Sequence, residues 1–493
     1  MKKIVVIGAG FSGLTAASIL AKDGNDVTLI EKNDQTGGRA REWESCGFKF
    51  DMGPSWYWMP EVFENFYQYF GKTSSDFYNL VRLDPGYRVF FTNNESFDVP
   101  ANLNDLKNKF ESREKGSGEK LIQFLKEAEF KYNTAMQDYV TRISDSITEF
   151  FELKLIIKTF QLKLFTSIRK QIRNLFKDPL LISILEFPVL FLGSTPNNTP
   201  SLYSMMNYAD LVLGTWFPMG GMVQISKAFT SIAKTNGVKI LLNEEVCSLV
   251  TETNKISKVI TNKSEYEADV VVGSADYHHI EQSLLKPQDR VYSQKYWDKR
   301  DMSPSSLLFY VGINTKLKNI LHHNLFFDED FETHANEIYN QPQWPSKPLF
   351  YLCASSITDK NCAPDNNENL FFLIPLAPGL KDDDGLREQY FQIMCKRLES
   401  KTGVDINNHI VVKRSYAMND FTKDYNSFKG NAYGLANTLK QTAFLKPKIK
   451  SKKITNLLYT GQLTVPGPGV PPAIISGKIV AQEIKKMISN KQL

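Results

Sequence analysis

Apolar and polar positions alternate in two different ways along this chain, and the change of period marks its parts. The first residues, "KIVVIGAG", hold four consecutive apolar positions, Ile4 to Ile7, closed by glycines, and predict a buried strand. "FSGLTAASILAKDG" follows with helix period, and "DVTLIEK" predicts a second buried strand, so the opening reads as one βαβ unit. At the far end "NLLYT" predicts a strand and "AIISGKIVAQEIKKMI" an amphipathic helix. Between them, Gly461 to Pro472 read "GQLTVPGPGVPP", with four prolines and three glycines, which joins neither a helix nor a central strand.

The middle behaves differently. Residues from about 101 to 213 are rich in helix period. Leu153, Ile156, Ile157, Phe160, Leu164, Ile168, Ile172, Leu175 and Phe176 step by three or four, and Lys154, Lys158, Arg169, Lys170, Arg173 and Lys177 supply a basic complement. A basic amphipathic segment of this kind suits an anionic membrane surface; a core-facing helix with a solvated charged face is the ordinary alternative. "VKILLNEEVCSLV", "KVIT" and "ADVVVGSAD" (238–276) predict short strands returning to the first unit. "SSLLFYVGI", "KPLFYLCAS", "ENLFFLIPLA" and "HIVVKRSYA" then predict an antiparallel sheet. The fold class is therefore α/β: a Rossmann-like nucleotide-binding domain, an antiparallel β domain and a helical region.

Composition narrows the field without deciding it. A chain of 493 residues, 42% hydrophobic and 23% charged, folds as two or three domains. Its net charge of +5 is too small to argue for nucleic acid. Five scattered cysteines without a CxxC pair fit a reducing compartment. No secretory signal is visible, and the longest apolar run, "LLISILEFPVLFL" at 180–192, is short for a bilayer and holds Glu186 and Pro188, so no transmembrane helix is expected. His278–His279 and His322–His323 are adjacent pairs; neighbours on a strand point to opposite faces, and no metal is expected.

The first turn carries the most specific chemistry. Gly8, Gly10 and Gly13 form GxGxxG between strand and helix. The first permits the tight turn, the second lets the backbone approach a pyrophosphate, and the third packs helix against strand, with phosphates at the helix N-terminus. Glu31, ending the second strand, stands where a carboxylate would grip the adenosine ribose. NAD and FAD are both compatible with this much. "NDQTGGRAR" then adds Gly37, Gly38, Arg39 and Arg41, and resembles the flavin-binding extension of the amine-oxidase-like superfamily.

"GFKFDMGPSW" (Gly47–Trp56), "GTWFPMGGM" (Gly214–Met222) and "YTGQLTVPGPGVPPAIISGKIVA" (Tyr459–Ala481) together resemble the bacterial-type carotenoid desaturases, of which phytoene desaturase is the best-known member. The resemblance runs from the first strand to the last helix. It implies non-covalent FAD, held by Gly8, Gly10, Phe11, Ser12, Gly13, Glu31, Lys32, Gly38, Arg39, Gly53, Pro54, Ser55, Val246, Gly461, Gln462, Gly469, Val470 and Pro471. It implies that the C-terminal strand returns to the first sheet and that its Pro-Gly turn lies against the flavin ring, with Asp276 also near the cofactor. Pro471 and Pro472 then sit at a helix start, which tolerates proline and whose partial positive charge favours a reduced flavin. Many relatives have a histidine before the Pro-Gly stretch; this chain has Gln462 nearby, and no cysteine near Gly461 for a covalent flavin link. The implied division places FAD on 1–70, 215–285 and 450–493, substrate on 71–100 and 286–449, and a membrane-docking helical region at 101–214.

The implied reaction is desaturation of a long isoprenoid polyene, phytoene first, with 3,4-desaturation of a hydroxylated, γ-carotene-type carotenoid as the alternative. A carotenoid isomerase or saturase, an amine-oxidase-like enzyme and a flavin-free prenyl-binding chaperone are further alternatives. "SWYWMP" (Ser55–Pro60), "LEFPVLFLG" and "LYSMMNYADL" offer apolar surface for such a substrate, or ordinary core. Asp51, Glu186 and Asp210 are conceivable proton acceptors. The expected partners are a lipid surface and quinone or oxygen as electron acceptor, and the expected location is cytoplasmic, peripheral to the inner membrane.

Overall fold

The two ends of the chain meet in one parallel sheet. In the computed structural model, which describes residues 1–92, 95–139, 166–193, 195–438, 441 and 445–493, this sheet runs Leu457–Tyr459, Val270–Gly273, Lys3–Ile7, Asp26–Ile30, Lys239–Leu241. Every neighbouring pair in it is parallel. Its strands are apolar on both sides because both faces are covered. Ile4, Val6, Val27 and Val272 face a helix layer built from Phe11–Lys22, Val223–Thr235 and Val470–Ser489. Val5, Ile7, Ile30 and Val271 face a small antiparallel sheet of Val246–Glu252, Lys255–Thr261 and Glu265–Glu267.

The first and last helices touch through glycine. A Cβ on Gly477 would stand 2.3 Å from the Ser12 carbonyl oxygen and 2.8 Å from Thr15 Cβ. Only a bare Cα lets these backbones come so close.

A second sheet of seven strands runs Ile410–Tyr416, Ser305–Ile313, Glu368–Leu376, Phe350–Cys353, His323–Phe327, Tyr87–Phe91, Ser96–Val99. It is antiparallel as expected, with one correction: His323–Phe327 pairs in parallel with Tyr87–Phe91. That edge hairpin comes from far earlier in the chain, so no tight turn imposes an antiparallel partner. Period-two alternation sorts its side chains to two cores. Leu308, Tyr310, Leu325, Tyr351, Cys353 and Phe371 face the nucleotide-binding side. Leu307, Phe309, Phe350, Leu352 and Phe372 face the helix Asp384–Thr402.

The helical region corrects one expectation in part. Ile168–Leu175 is a helix, but Ile168 and Ile172, and Phe176 beyond it, are buried in the core rather than presented outward. Arg173 lies 3.1 Å from Glu186, and both Arg169 and Arg173 also pair with Glu332. Leu153, Lys154, Ile156, Ile157, Lys158, Phe160 and Leu164 lie outside the described residues. Among the described residues no helix is long and apolar enough to cross a membrane.

The histidine pairs are not the expected strand neighbours. His278 and His279 belong to a short helix, Tyr277–His279, not a strand. His322 stands just before the strand His323–Phe327, so strand alternation does not separate this pair, and the two rings lie 4.4 Å apart.

Gly477→Ala is expected to lower stability by roughly 1–3 kcal/mol through overpacking between the two helices. Thermal denaturation of the flavin-loaded protein measures it; an unchanged melting temperature would mean the helices separate freely.

Candidate flavin and substrate site

One cavity opens at the C-terminal ends of the parallel strands, the position where open α/β sheets bind ligands. Gly8, Gly10, Phe11, Ser12, Glu31, Lys32, Gly38, Arg39, Gly53, Pro54, Val246, Gly461, Gln462, Gly469 and Val470 all line it. Gly13, Ser55 and Pro471 do not, and each has another place. A Cβ on Gly13 would stand 2.1 Å from the Gly8 carbonyl, so it packs the turn. Ser55 bonds the Tyr351 hydroxyl at 2.9 Å. Pro471 lies in the first turn of the last helix.

The turn itself is built for backbone contact. Gly8 has φ +100°, and a Cβ there would meet Ala275 N at 2.9 Å. Gly10 precedes the helix without any side-chain cap, leaving the first N–H groups to a ligand. Glu31 is held by N–H donors: Ala9 N–H to one oxygen at 2.8 Å and Asn33 N–H to the other at 2.9 Å. Its carboxylate is thus fixed on the cavity wall, 22 residues after Ala9 in the chain.

Arg39 supplies the charge. It donates to Ser427 Oγ at 2.7 Å and to the Asn431 carbonyl at 3.3 Å, both neutral acceptors. Its Nε is buried and has no hydrogen bond among the described residues. Burial lowers its pKa, the signature of a cation held in poor solvent. A half-buried guanidinium on the wall, beside an uncapped helix N-terminus, fits a diphosphate. Arg41 does something else: it pairs with Asp424 at 2.6 Å and anchors the segment that closes the cavity.

The Pro-Gly turn forms the opposite wall. Gly461, with φ +106°, comes close to Ser12, and its N–H donates to Ser476 Oγ at 3.1 Å. Gly469, at φ +110°, precedes the last helix, again with no side-chain cap. Gly469, Val470 and Ala473 line the cavity, so this helix also points its N-terminus inward. Behind the turn, buried Lys446 donates to the Pro466 carbonyl at 2.9 Å; burial pushes its pKa down to about 7. Gln462 lines the cavity and bonds Asn431 at 3.3 Å.

The three carboxylates considered as proton acceptors are otherwise engaged. Asp51 accepts from Met222 N–H at 2.8 Å and Val223 N–H at 3.0 Å, at the start of the helix Val223–Thr235. Glu186 pairs with Arg173. Asp210 accepts from the Tyr87 hydroxyl at 2.8 Å and Thr215 at 3.3 Å; burial pushes its pKa up to about 7. None of the three lines the cavity.

Sequence reasoning missed a whole wall: Ser306, Leu308, Leu373, Phe421, Tyr425, Asn426, Ala432 and Tyr433. Phe421 and Tyr425 stand one turn apart on the short helix Met418–Tyr425, and the stretch beyond it, with left-handed Asn426 and Lys429, is irregular. Leu308 and Leu373 were visible only as members of strands. Asp276 lines the cavity, its carboxylate accepting from His279 N–H at 3.1 Å.

Fold and site together define a flavin-dependent oxidoreductase. The chain belongs to the family of flavin containing amine oxidoreductases, whose model matches residues 11–485. It is 38% identical over 482 residues to a carotenoid 3,4-desaturase from Haloarcula japonica, covering 98% of this chain and 97% of that one. It is 30% identical over 499 residues to a 4,4'-diapophytoene desaturase from Staphylococcus haemolyticus, covering 99% of both. An oxidoreductase from Methanosarcina mazei has the same fold, with TM-score 0.63 at 16% identity, over 97% of this chain and 100% of that one. The resemblance to carotenoid desaturases drawn from the sequence motifs is thus borne out.

Arg39→Met is expected to weaken FAD retention at least about tenfold, the loss of one charge-assisted contact. Equilibrium dialysis of the variant measures it; unchanged affinity would place the diphosphate elsewhere. For Asp210 the sign follows from its raised pKa: its contribution is intact below pH 4 and is lost as pH rises towards 7. Asp210→Asn should remove that loss, making stability less pH-dependent across this window by roughly 2–4 kcal/mol. Denaturant unfolding at pH 4.5 and 7.5 tests it, and parallel curves for both proteins would refute it.

Proposed function

We propose that this chain is an FAD-dependent carotenoid desaturase, an oxidoreductase acting on CH–CH groups. The observation that carries the reading is the cavity's composition: one side presents glycine backbone, Arg39 and two helix N-termini, and the other the apolar sheet face of Leu308 and Leu373. A polar cofactor and a hydrocarbon substrate are the pair that such a cavity suits. The names of the full-length relatives support the same chemistry.

In this reading residues 1–70, 215–285 and 450–493 hold the cofactor, and 71–100 with 286–449 hold the substrate. Gly8, Gly10 and the first helix take the diphosphate with Arg39, Glu31 takes the ribose, and Gly461 with the last helix borders the ring. When bound, the flavin supplies acceptance of a hydride from an allylic carbon. The chain contributes orientation and exclusion of water: Leu308, Leu373 and Tyr433 form a dry wall, and a vicinal proton leaves as the double bond forms. Quinone or oxygen would be the final electron acceptor. A substrate dissolved in lipid calls for peripheral contact with a membrane surface, made by residues other than the buried side of Ile168–Leu175.

Phytoene-type substrates and 3,4-desaturation of a hydroxylated carotenoid are the two forms of the reading. The second is favoured by the higher identity to the Haloarcula enzyme. Anaerobic mixing of the flavin-loaded protein with liposomes carrying phytoene or a hydroxylated γ-carotene separates them. Flavin bleaching with matching growth of polyene absorption is expected for one substrate. Bound flavin that neither lipid bleaches would overturn desaturation of both.

A further inference from the structure

A second cluster of reactive side chains lies apart from the flavin cavity. His322, His323 and Cys353 place one ligating atom each within 4.8 Å of one another. All three are buried, and none lines the cavity. Strand register explains the meeting. His323 and Cys353 are direct partners across an antiparallel pair, so both side chains leave the same sheet face. His322 precedes the strand and turns its ring edgewise onto His323.

Each histidine is held by a hydroxyl through one ring nitrogen. His322 Nδ1 lies 2.7 Å from Thr358 Oγ1, and His323 Nδ1 lies 2.7 Å from the Tyr351 hydroxyl. Both Nε2 atoms are buried without a hydrogen bond among the described residues. A ring that donates through Nδ1 to a hydroxyl presents a lone pair at Nε2, and such outer partners fix ligand histidines in metal sites. Leaving two polar nitrogens unpaired in a core is costly, and a bound cation would relieve that cost.

We propose that His322, His323 and Cys353 form a three-coordinate copper(I) site. Sulfur and imidazole donors suit a soft ion, and the set is complete at three ligands. One thiolate balances one positive charge, so the complex is neutral, the state least penalised in apolar surroundings. Those surroundings are aromatic: Trp56 stacks on His323 at 4.2 Å and Phe217 meets His322 at 4.6 Å. Zinc would want a fourth ligand. Asp359, close enough to act on His322, is occupied by Gly220 N–H at 2.6 Å and Asn361 N–H at 3.0 Å. On binding, the Cys353 thiol gives its proton to solvent, one Cu–S and two Cu–N bonds form, and no electron is transferred. The ion ties two neighbouring strands together beside Trp56.

The test uses the full-length, FAD-loaded protein, titrated anaerobically with copper(I) against bicinchoninate. One copper per chain should be retained, with two nitrogens and one sulfur in its X-ray absorption spectrum and a higher melting temperature. Cys353→Ser should lose both effects while keeping its flavin, which reports folding; Cys395→Ser and Cys247→Ser should keep the copper. If Cys353→Ser sheds its flavin, His322→Gln takes its place with the same expectation. Failure of the wild type to compete with the chelator overturns the site. So does equal copper in Cys353→Ser, or retention of zinc in preference to copper under the same competition.

Discussion

The close approach of bare backbones at the meeting of the chain's two ends is the constraint on which the rest depends. Gly13 lets the first helix sit on the Gly8 turn, and Gly477 lets the last helix sit on the first. Because of these contacts the strand Leu457–Tyr459 can take the edge of the parallel sheet, four strands in space from Lys239–Leu241. The turn that follows it then necessarily overhangs the first turn. Two helix N-termini converge on one cavity as a consequence, and a side chain larger than hydrogen at either glycine would part them.

The same geometry explains why the Pro-Gly stretch is stiff. A loop that forms a cavity wall must hold its shape without a ladder of hydrogen bonds. Proline limits the unfolded alternatives, glycine supplies the left-handed turns at Gly461, Gly467 and Gly469, and Lys446 braces the Pro466 carbonyl from behind. A buried lysine is an expensive brace, since its ammonium is desolvated, and its lowered pKa records that cost. The wall is therefore held by local covalent stiffness and by single contacts with Lys446, Ser476 and Asn431, not by a sheet.

How much was legible followed from how local the signal was. The GxGxxG turn, Glu31 and the second glycine pair are set by short-range spacing, and Gly8, Gly10, Glu31, Gly37 and Gly38 line one cavity. The strands of the seven-stranded sheet showed in their apolar runs, but their order did not: nothing local says that Tyr87–Phe91 joins His323–Phe327 in parallel. The 421–433 wall was invisible because a two-turn helix, Met418–Tyr425, is too short for its period to stand out and the backbone after it is irregular. Ile168 and Ile172 show the opposite failure. Their amphipathic spacing is real, yet a stripe tells only that one side is covered, and here the cover is the protein's own core.

The absence of Asp51, Glu186 and Asp210 from the cavity wall bears on how such a site would work. Each carboxylate is drawn off by a structural donor, Asp51 by a helix start, Glu186 by arginine, Asp210 by a tyrosine hydroxyl. What faces the cavity's apolar side is Leu308, Leu373 and Tyr433. A proton lost next to a delocalised cation is already acidic, so a strong, dedicated base adds little to the rate of its departure. Placement of the allylic carbon and exclusion of water matter more, and both are properties of an apolar wall fixed by a sheet. Arg39 and Glu31, by contrast, stand on the cavity wall beside the glycine turn and the uncapped helix starts. The opposite side contributes shape.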